Sequence, residues 1–243
     1  MVDQGLISRL PPTLTAEEIA LVNHRGLSPD IHSVRPYHWG GLRFNAPPGV
    51  FLPGPTSRLV HEMIRDGRIR VRGLRYAAMG CGLGVETVLA GLRGALIVYG
   101  IDVHPPSVES SRRHYLKYVG TTGATFVGVI SDLWNDFPSV APLDVVTINP
   151  PFIGVHLSDD QDLIRNMCVG PELAQRFLRQ LVERPLMSPE GVVYVTLSNT
   201  APLRDFVSMA LNHGLSVSVV HEQGWPGENV RTFILALRRR NAG

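Results

Sequence analysis

From about residue 74 onward the chain alternates short apolar runs with amphipathic stretches, and this alternation most constrains its fold. The apolar runs have the length of β-strands and lie at 74–79, 96–101, 125–130, 143–148, 192–197, 215–220 and 230–237. The amphipathic stretches between them predict helices at 85–92, 106–118, 171–183 and 201–212. Strands that alternate with helices are typical of a parallel sheet covered by helices on both faces.

The last two strands break this alternation. Residues 221–229, HEQGWPGEN, form a turn-rich connection that is too short for a full helix. Two strands joined in this way pair as an antiparallel hairpin. We therefore predict an α/β fold with a Rossmann-like, seven-stranded mixed sheet whose last strand is antiparallel.

The first 55 residues do not follow the same pattern. They contain a short amphipathic helix candidate at 16–24 and then a Gly/Pro-rich aromatic stretch, HSVRPYHWGGLRFNAPPGVFLPGP, which we interpret as too irregular for a core layer. We expect residues 1–55 to form a short cap or lid and residues 56–243 to form the main domain.

Composition excludes several classes of protein. The chain has 243 residues, of which 44% are apolar and 18% charged, enough to bury a large core. It has no apolar run of about 18 residues and no apolar amino-terminal stretch, so we expect a cytoplasmic protein with no membrane partner. Cys81 and Cys168 lie far apart without a CxxC pair, which argues against a zinc site and a disulfide framework. The basic residues are dispersed and lack interleaved aromatics, which disfavours a nucleic-acid partner.

A glycine-rich turn follows the first strand of the sheet. Its sequence, Gly80-Cys81-Gly82-Leu83-Gly84, leads directly into a predicted helix. Glycines at such a junction let the backbone approach a ligand, and the helix start contributes N–H donors, although the same glycines also permit close packing. Asp102 ends the next strand, about 20 residues further on, where a carboxylate can bind both hydroxyls of a ribose.

A third segment of the same kind follows the third strand. Asp132 can accept a hydrogen bond from an adenine amino group, and Leu133 or Trp134 can cover the ring. The alternative is that Asp132 only caps a loop. Together with the glycine turn and Asp102, this segment predicts a nucleoside cofactor.

The motif NPPF, residues 149–152, ends the fourth strand of the sheet. The two prolines remove two backbone donors and forbid a helix, so an asparagine amide and backbone carbonyls are held at the strand's end. The order GCGLG, Asp102, Asp132, NPPF and a final hairpin resembles the class I S-adenosylmethionine-dependent methyltransferases, in which NPPF or NPPY marks methylation of a nitrogen. The segment GVFLPGPTSRLV, residues 49–60, is similar to the one before the core of the HemK/PrmC-type glutamine methyltransferases.

This resemblance covers residues 50–240 and implies S-adenosyl-L-methionine as cofactor and no metal. The cofactor-binding residues that it implies are Gly80, Cys81, Gly82, Gly84, Asp102, Val103, Asp132, Leu133 and Asn149. It further implies that the Asn149 side-chain oxygen and the Pro150 carbonyl accept hydrogen bonds from the substrate nitrogen, while Phe152 stacks on the substrate plane. Ala78 stands where the family has an acidic residue, so that residue's contact to the methionine part must be absent or supplied elsewhere. Only about 50 residues precede the matching segment, in place of the family's helical substrate-gripping domain.

The substrate is predicted from the loop after NPPF. Three aspartates at 159, 160 and 162 are either a solvated surface or a charge filter for a cationic guanidinium or amine. Candidate substrate-binding residues are Phe51, Pro151, His156, Asp159, Asp160 and Trp225. We rank a small molecule with a planar nitrogen first, a protein glutamine second, and an exocyclic amine of rRNA or DNA third. A non-catalytic nucleotide-binding module and an NAD-dependent enzyme are the alternatives from other classes.

Overall fold

The structure is a computed structural model that describes residues 4–24, 30–121, 123–138, 142–227 and 229–240. The helices are α1 (Gln4–Arg9), α2 (Ala16–His24), α3 (Pro55–Arg65), α4 (Val85–Leu92), α5 (Pro105–Tyr118), α6 (Gln161–Met167), α7 (Pro171–Glu183) and α8 (Leu203–Asn212). The strands are β1 (Arg35–Trp39), β2 (Leu42–Ala46), β3 (Arg75–Met79), β4 (Ile97–Asp102), β5 (Thr125–Ile130), β6 (Leu143–Ile148), β7 (Met187–Ser198), β8 (Leu215–Gly224) and β9 (Arg231–Arg239).

Seven of the strands form one mixed sheet in the order β5-β4-β3-β6-β7-β9-β8. The pairs β3–β4, β3–β6 and β4–β5 are parallel, whereas β9 pairs antiparallel with both β7 and β8. The described residues between β8 and β9 contain no helix; Glu228 of this connection lies outside them. The predicted Rossmann-like sheet with an antiparallel last strand is therefore confirmed.

The chain divides into two compact units, Ser28–Ile148 and Met1–Leu27 with Asn149–Gly243. The boundary predicted after residue 55 falls inside the first of these units, and the predicted domain division stays a prediction. No helix within the described parts of the chain is long and apolar enough to cross a membrane.

A β-hairpin occupies half of the stretch that was interpreted from the sequence as irregular, and that interpretation is wrong. Strands β1 and β2 pair antiparallel around Gly40 and Gly41, whose φ angles are +57° and +81°. Two consecutive residues with positive φ make the tight turn that matches the twist of paired strands. Burial alternates along both strands, as expected for a hairpin with one face on a core.

The hairpin packs on helix α5 within the unit of residues 28–148. Phe44 is fully buried and contacts His114 and Tyr118 with ring centroids 5.0 and 5.6 Å apart. The Tyr118 hydroxyl donates to the Arg43 carbonyl at 2.5 Å. The segment is therefore a structural layer over α5.

In the other unit, α7 and α8 pack against each other and α8 packs on β8. Their buried faces are lined by apolar side chains with at most 1% exposure, namely Phe177, Leu178, Leu181, Leu203 and Phe206. Pro171 lies in the first turn of α7, where the missing N–H costs no helical hydrogen bond.

Candidate active site

The glycine turn connects β3 to α4 in the unit of residues 28–148. The N–H groups of Gly80 and Cys81 both donate to the Ile101 carbonyl, at 2.8 and 2.9 Å, which fixes the turn to the end of β4. Gly80, Gly82 and Gly84 have φ angles of +70°, +47° and +88°, in the left-handed region where glycine is strongly favoured.

The three glycines serve two different purposes. A Cβ atom at Gly84 would lie 2.5 Å from the Ser111 Cα, so this glycine permits the close packing of α4 on α5. A Cβ at Gly80 would meet nothing within 4 Å, and at Gly82 the nearest atom is a backbone oxygen at 3.8 Å. The space beside Gly80 and Gly82 is therefore open for a ligand to approach the backbone.

Asp102 lies half-buried at the end of β4, beside this turn. Its Oδ2 accepts from the Gly82 N–H at 3.0 Å and its Oδ1 accepts from the His104 N–H at 2.9 Å. A carboxylate oxygen can accept more than one hydrogen bond, so a carboxylate at this position is chemically suited to ribose hydroxyls. The structure thus brings together the two features on which the cofactor prediction depended most.

The segment after β5 lies beside Asp102, since the Ser131 N–H donates to the Asp102 carbonyl at 2.9 Å. Asp132 is half-buried and Val103 is 51% exposed. Trp134 is fully buried against Phe137, with ring centroids 5.4 Å apart, so it belongs to the core. Asp132 and Leu133 as adenine contacts stay predictions.

His114 contacts the glycine turn at Leu83, and this residue was not predicted from the sequence. Its Nδ1 lies 2.9 Å from the Leu83 carbonyl, and its Nε2 accepts from the Asn45 N–H at 3.1 Å. These partners require the neutral tautomer with the proton on Nδ1. Burial lowers the pKa of His114, in agreement with a neutral ring. No local sequence signal could reveal these bonds, because their partners lie 31 and 69 residues away.

The NPPF motif lies in the other unit and directly follows β6 along the chain. Asn149 is exposed and Pro150 and Pro151 are half-buried. The Pro151 carbonyl accepts from the N–H groups of Val169 and Gly170 at 2.9 and 3.1 Å, and the Pro150 carbonyl accepts from Phe152 at 2.9 Å. Both proline carbonyls are thus paired within the chain, and these bonds fix the backbone that carries Asn149.

Phe152 anchors the motif to the core. It is 2% exposed, forms an isolated β-bridge with Cys168, and its ring lies 5.7 Å from that of Phe206. Burial of this ring holds the preceding prolines in place. The proposed stacking of Phe152 on a substrate stays a prediction.

The aspartates of the following loop have partners within the same segment. Asp160 caps α6 by accepting from the N–H groups of Asp162 and Leu163 at 2.8 and 3.2 Å. Asp162 accepts from Arg165 at 2.6 Å, and Asp159 lies 2.9 Å from the Nε2 of His156. The loop is therefore better described as a capped helix start than as a charge filter.

Trp225 and Phe51, which were also predicted to contact the substrate, differ in their surroundings. Trp225 is half-buried, donates from Nε1 to the Thr232 hydroxyl at 2.9 Å, and lines a shallow, open depression of about 470 Å³. Phe51 is half-buried in the unit of residues 28–148. The assignments of Phe51, Pro151, His156 and Trp225 to the substrate stay predictions.

Comparison with known proteins gives weak but consistent similarities. No family model matches the chain. The chain is 21% identical over 184 residues to a putative protein N5-glutamine methyltransferase of Methanocaldococcus jannaschii, which covers 74% of this chain and 87% of that protein.

Two solved structures share the fold. Mtq2 of E. cuniculi, from the Mtq2–Trm112 complex responsible for methylating the termination factor eRF1, has a TM-score of 0.55 and 18% identity over 79% of this chain and 99% of its own. The 16S rRNA N2 G1207 methyltransferase of T. thermophilus, bound to AdoMet and guanosine, has a TM-score of 0.61 and 21% identity over 86% of this chain and 50% of its own.

The chain therefore has the class I S-adenosylmethionine-dependent methyltransferase fold. The predictions of a methyltransferase enzyme and of S-adenosylmethionine as its cofactor are confirmed. The residues fit this cofactor, because the open backbone at Gly80 and Gly82 lies beside the Asp102 carboxylate.

The prediction about partners is wrong. We ranked a small molecule first and disfavoured nucleic acid, whereas the similar proteins act on a protein glutamine, on eRF1 or on 16S rRNA. The ranking of a small cationic substrate depended on the loop after NPPF, whose aspartates were either a solvated surface or a filter for small cations. Those carboxylates cap α6 and pair with neighbouring side chains instead.

Proposed function

We propose that the protein is a protein glutamine N5-methyltransferase, which transfers the methyl group of S-adenosylmethionine to the side-chain amide nitrogen of a glutamine in a protein substrate. The observation that carries this proposal is the fixed NPPF backbone, which presents the exposed Asn149 at the end of β6. The similarity to the N5-glutamine methyltransferase from M. jannaschii supports the same class of acceptor.

The acceptor is a neutral amide. A cationic guanidinium or amine would need a carboxylate beside the site, and the aspartates of the nearby loop are already engaged. Asn149 instead offers a side-chain amide whose oxygen accepts and whose nitrogen donates, which matches a planar carboxamide.

Binding and orientation account for most of the catalysis that the chain must provide. An amide nitrogen is a poor nucleophile because its lone pair is conjugated with the carbonyl. The Asn149 oxygen accepts a hydrogen bond from the glutamine NH₂ and stabilises the positive charge that develops on that nitrogen. Placing the nitrogen in line with the methyl group contributes at most roughly 7 to 11 kcal/mol.

The reaction balances without a metal or a covalent enzyme intermediate. The bond from the cofactor sulfur to the methyl carbon breaks, and a bond from the glutamine nitrogen to that carbon forms. The nitrogen then releases one proton to solvent. The products are N5-methylglutamine and S-adenosylhomocysteine.

The test uses methyl-labelled S-adenosylmethionine and a cell extract treated with either protease or nuclease. We expect labelled material that protease removes and nuclease does not, and we expect the Asn149→Ala variant to produce much less of it. Label in small molecules alone would contradict the proposal.

A second candidate, methylation of an exocyclic amine in RNA, is favoured by an exposed arginine row. Arg68, Arg70 and Arg72 are exposed on alternate positions while Ile69 and Val71 between them are buried. Arginines spaced in this way can contact successive phosphates. Label that nuclease removes and protease does not would make this candidate the function.

A further inference from the structure

A half-buried carboxylate lies two residues after the glycine turn, at a position that was not predicted from the sequence. Glu86 is the second residue of α4, and its side chain is 17% exposed. Its Oε2 accepts hydrogen bonds from the hydroxyls of Thr147 and Tyr76, the latter at 3.3 Å, and these two hydroxyls lie 2.5 Å apart. Glu86 is thus fixed from one side by two strands of the sheet.

Glu86 has no cationic partner among the described residues. The Nε2 of His61 lies 3.9 Å from Oε1. Burial, aided by the charge of Arg58, lowers the pKa of His61 to about 3, so this imidazole is neutral near pH 7. A carboxylate removed from water without a counter-charge is costly, which makes this position a ready site for a cation.

Glu86 lies two residues after Gly84, the last residue of the glycine turn. Burial raises the pKa of the Cys81 thiol, in the middle of that turn, well above its usual value, and the charges of Asp102 and Glu86 raise it further. Both carboxylates therefore act on the same turn. Asp102 is the one assigned to the ribose, and Glu86 is left without an assigned ligand.

Glu86 also bonds to the neighbours of Ala78 in the sheet. Ala78 pairs with Thr147 in the β3–β6 register, and Tyr76 lies two residues before it on the same face of the strand. Glu86 bonds to Tyr76 and Thr147, the two neighbours of Ala78 on that face. A longer acidic side chain at position 78 would compete with Glu86 for these two hydroxyls.

We infer that Glu86 binds the α-ammonium group of S-adenosylmethionine and supplies the acidic contact that is missing at position 78. The α-amino group of the cofactor is protonated and positively charged near pH 7, and Glu86 is a largely buried carboxylate with no cationic partner among the described residues, two residues after the turn. The inference rests on the cofactor and is independent of the methyl acceptor.

The test compares two ligands by calorimetry: S-adenosylhomocysteine and its deamino analogue, in which hydrogen replaces the α-amino group. In the Glu86→Gln variant we expect the affinity for S-adenosylhomocysteine to fall about 10- to 100-fold, the scale of one charge-assisted hydrogen bond. The affinity for the deamino analogue should stay the same, since that ligand has no ammonium group to lose. Gln keeps a side-chain oxygen that can accept hydrogen bonds from the Thr147 and Tyr76 hydroxyls, so we expect the variant to fold.

Glu62→Gln is the matched control, because Glu62 is an exposed glutamate on the neighbouring helix α3. It should leave both affinities unchanged. If Glu86→Gln weakens both ligands equally, or neither, Glu86 does not bind the ammonium group and the inference is overturned while the cofactor assignment stands. If the wild-type protein binds neither ligand, the cofactor assignment itself fails.

Discussion

At the scale of single residues, the role proposed for Asn149 predicts that its substitution affects catalysis more than cofactor binding. Asn149→Ala should lower kcat by about 10²- to 10³-fold, because a preorganised contact to developing charge is lost. The affinity for S-adenosylhomocysteine, measured by calorimetry, should change little. Asn149→Asp should not tighten substrate binding, since a neutral amide gains nothing from an added negative charge. A lowered KM in Asn149→Asp would instead indicate a cationic acceptor.

For Asp102 we predict the opposite result, a loss of cofactor affinity. Asp102→Ala should weaken S-adenosylhomocysteine binding by about 1.5 to 3 kcal/mol, because the variant loses the predicted contact to the ribose and the hydrogen bond from the Gly82 N–H. Asp136, an exposed aspartate near the end of the next strand, provides the control. Equal calorimetric affinities for Asp102→Ala and Asp136→Ala would remove Asp102 from the cofactor site.

His61 predicts how stability depends on pH. Its pKa is about 3 in the folded protein, mainly because of burial, and near 6.5 in the unfolded chain. Between these values the unfolded chain binds a proton that the folded protein does not, so stability is fully present above about pH 6.5 and falls as pH decreases toward 3. The loss over this window is at most roughly 4 to 5 kcal/mol.

The measurement is the free energy of unfolding by denaturant at several pH values. His61→Gln should show a smaller loss between pH 6.5 and the acid limit than wild type, because the titrating group is gone. His38→Gln, at an exposed position of β1, should behave like wild type. The same acid dependence in all three proteins would show that His61 does not titrate in this way.

From the sequence, residues could be placed near each other where their proximity depends on local order along the chain. The glycine turn and Asp102 are recognisable because only one helix, α4, and one strand, β4, lead from the first to the second. Glu86 and His114 were missed because their partners, Thr147, Leu83 and Asn45, lie 31 to 69 residues away. Nothing in a single sequence shows which polar groups meet across a core.

At the scale of elements, the apolar runs predicted the sheet well because its central strands are buried on both faces. The bounds of α4, α7, β5 and β6 agree with the predicted ranges. The β1–β2 hairpin was missed although Gly40-Gly41 between two alternating segments is a recognisable turn signal. The surrounding prolines and aromatic residues concealed the alternation.

The packing of α4 on α5 gives a prediction about stability. Gly84→Ala should destabilise the protein by at least about 2 kcal/mol, since the new Cβ would lie 2.5 Å from the Ser111 Cα and the residue would keep a left-handed φ. Gly80→Ala should cost only about 1 to 2 kcal/mol, because its Cβ meets open space. Thermal unfolding midpoints test this order. Equal shifts for the two variants would contradict the close helix contact.

At the scale of the whole molecule, sequence patterns predicted the class of enzyme. The similar proteins changed the predicted substrate from a small molecule to a macromolecule. The fold and cofactor binding depend on strands, helices and turns within one chain, and these can be predicted from its sequence. Substrate choice depends on a surface that must match another molecule, and the acidic loop misled because its charges pair internally.

The most direct test of the central claim is the chemical form of the transferred methyl group. Labelled substrate protein is hydrolysed in strong acid, which cleaves side-chain amides but leaves N-methylated lysine and arginine intact. We predict that the label is released as methylamine, because hydrolysis of N5-methylglutamine gives glutamate and methylamine. Label that stays on an amino acid, or that is recovered on a nucleobase, would contradict glutamine methylation.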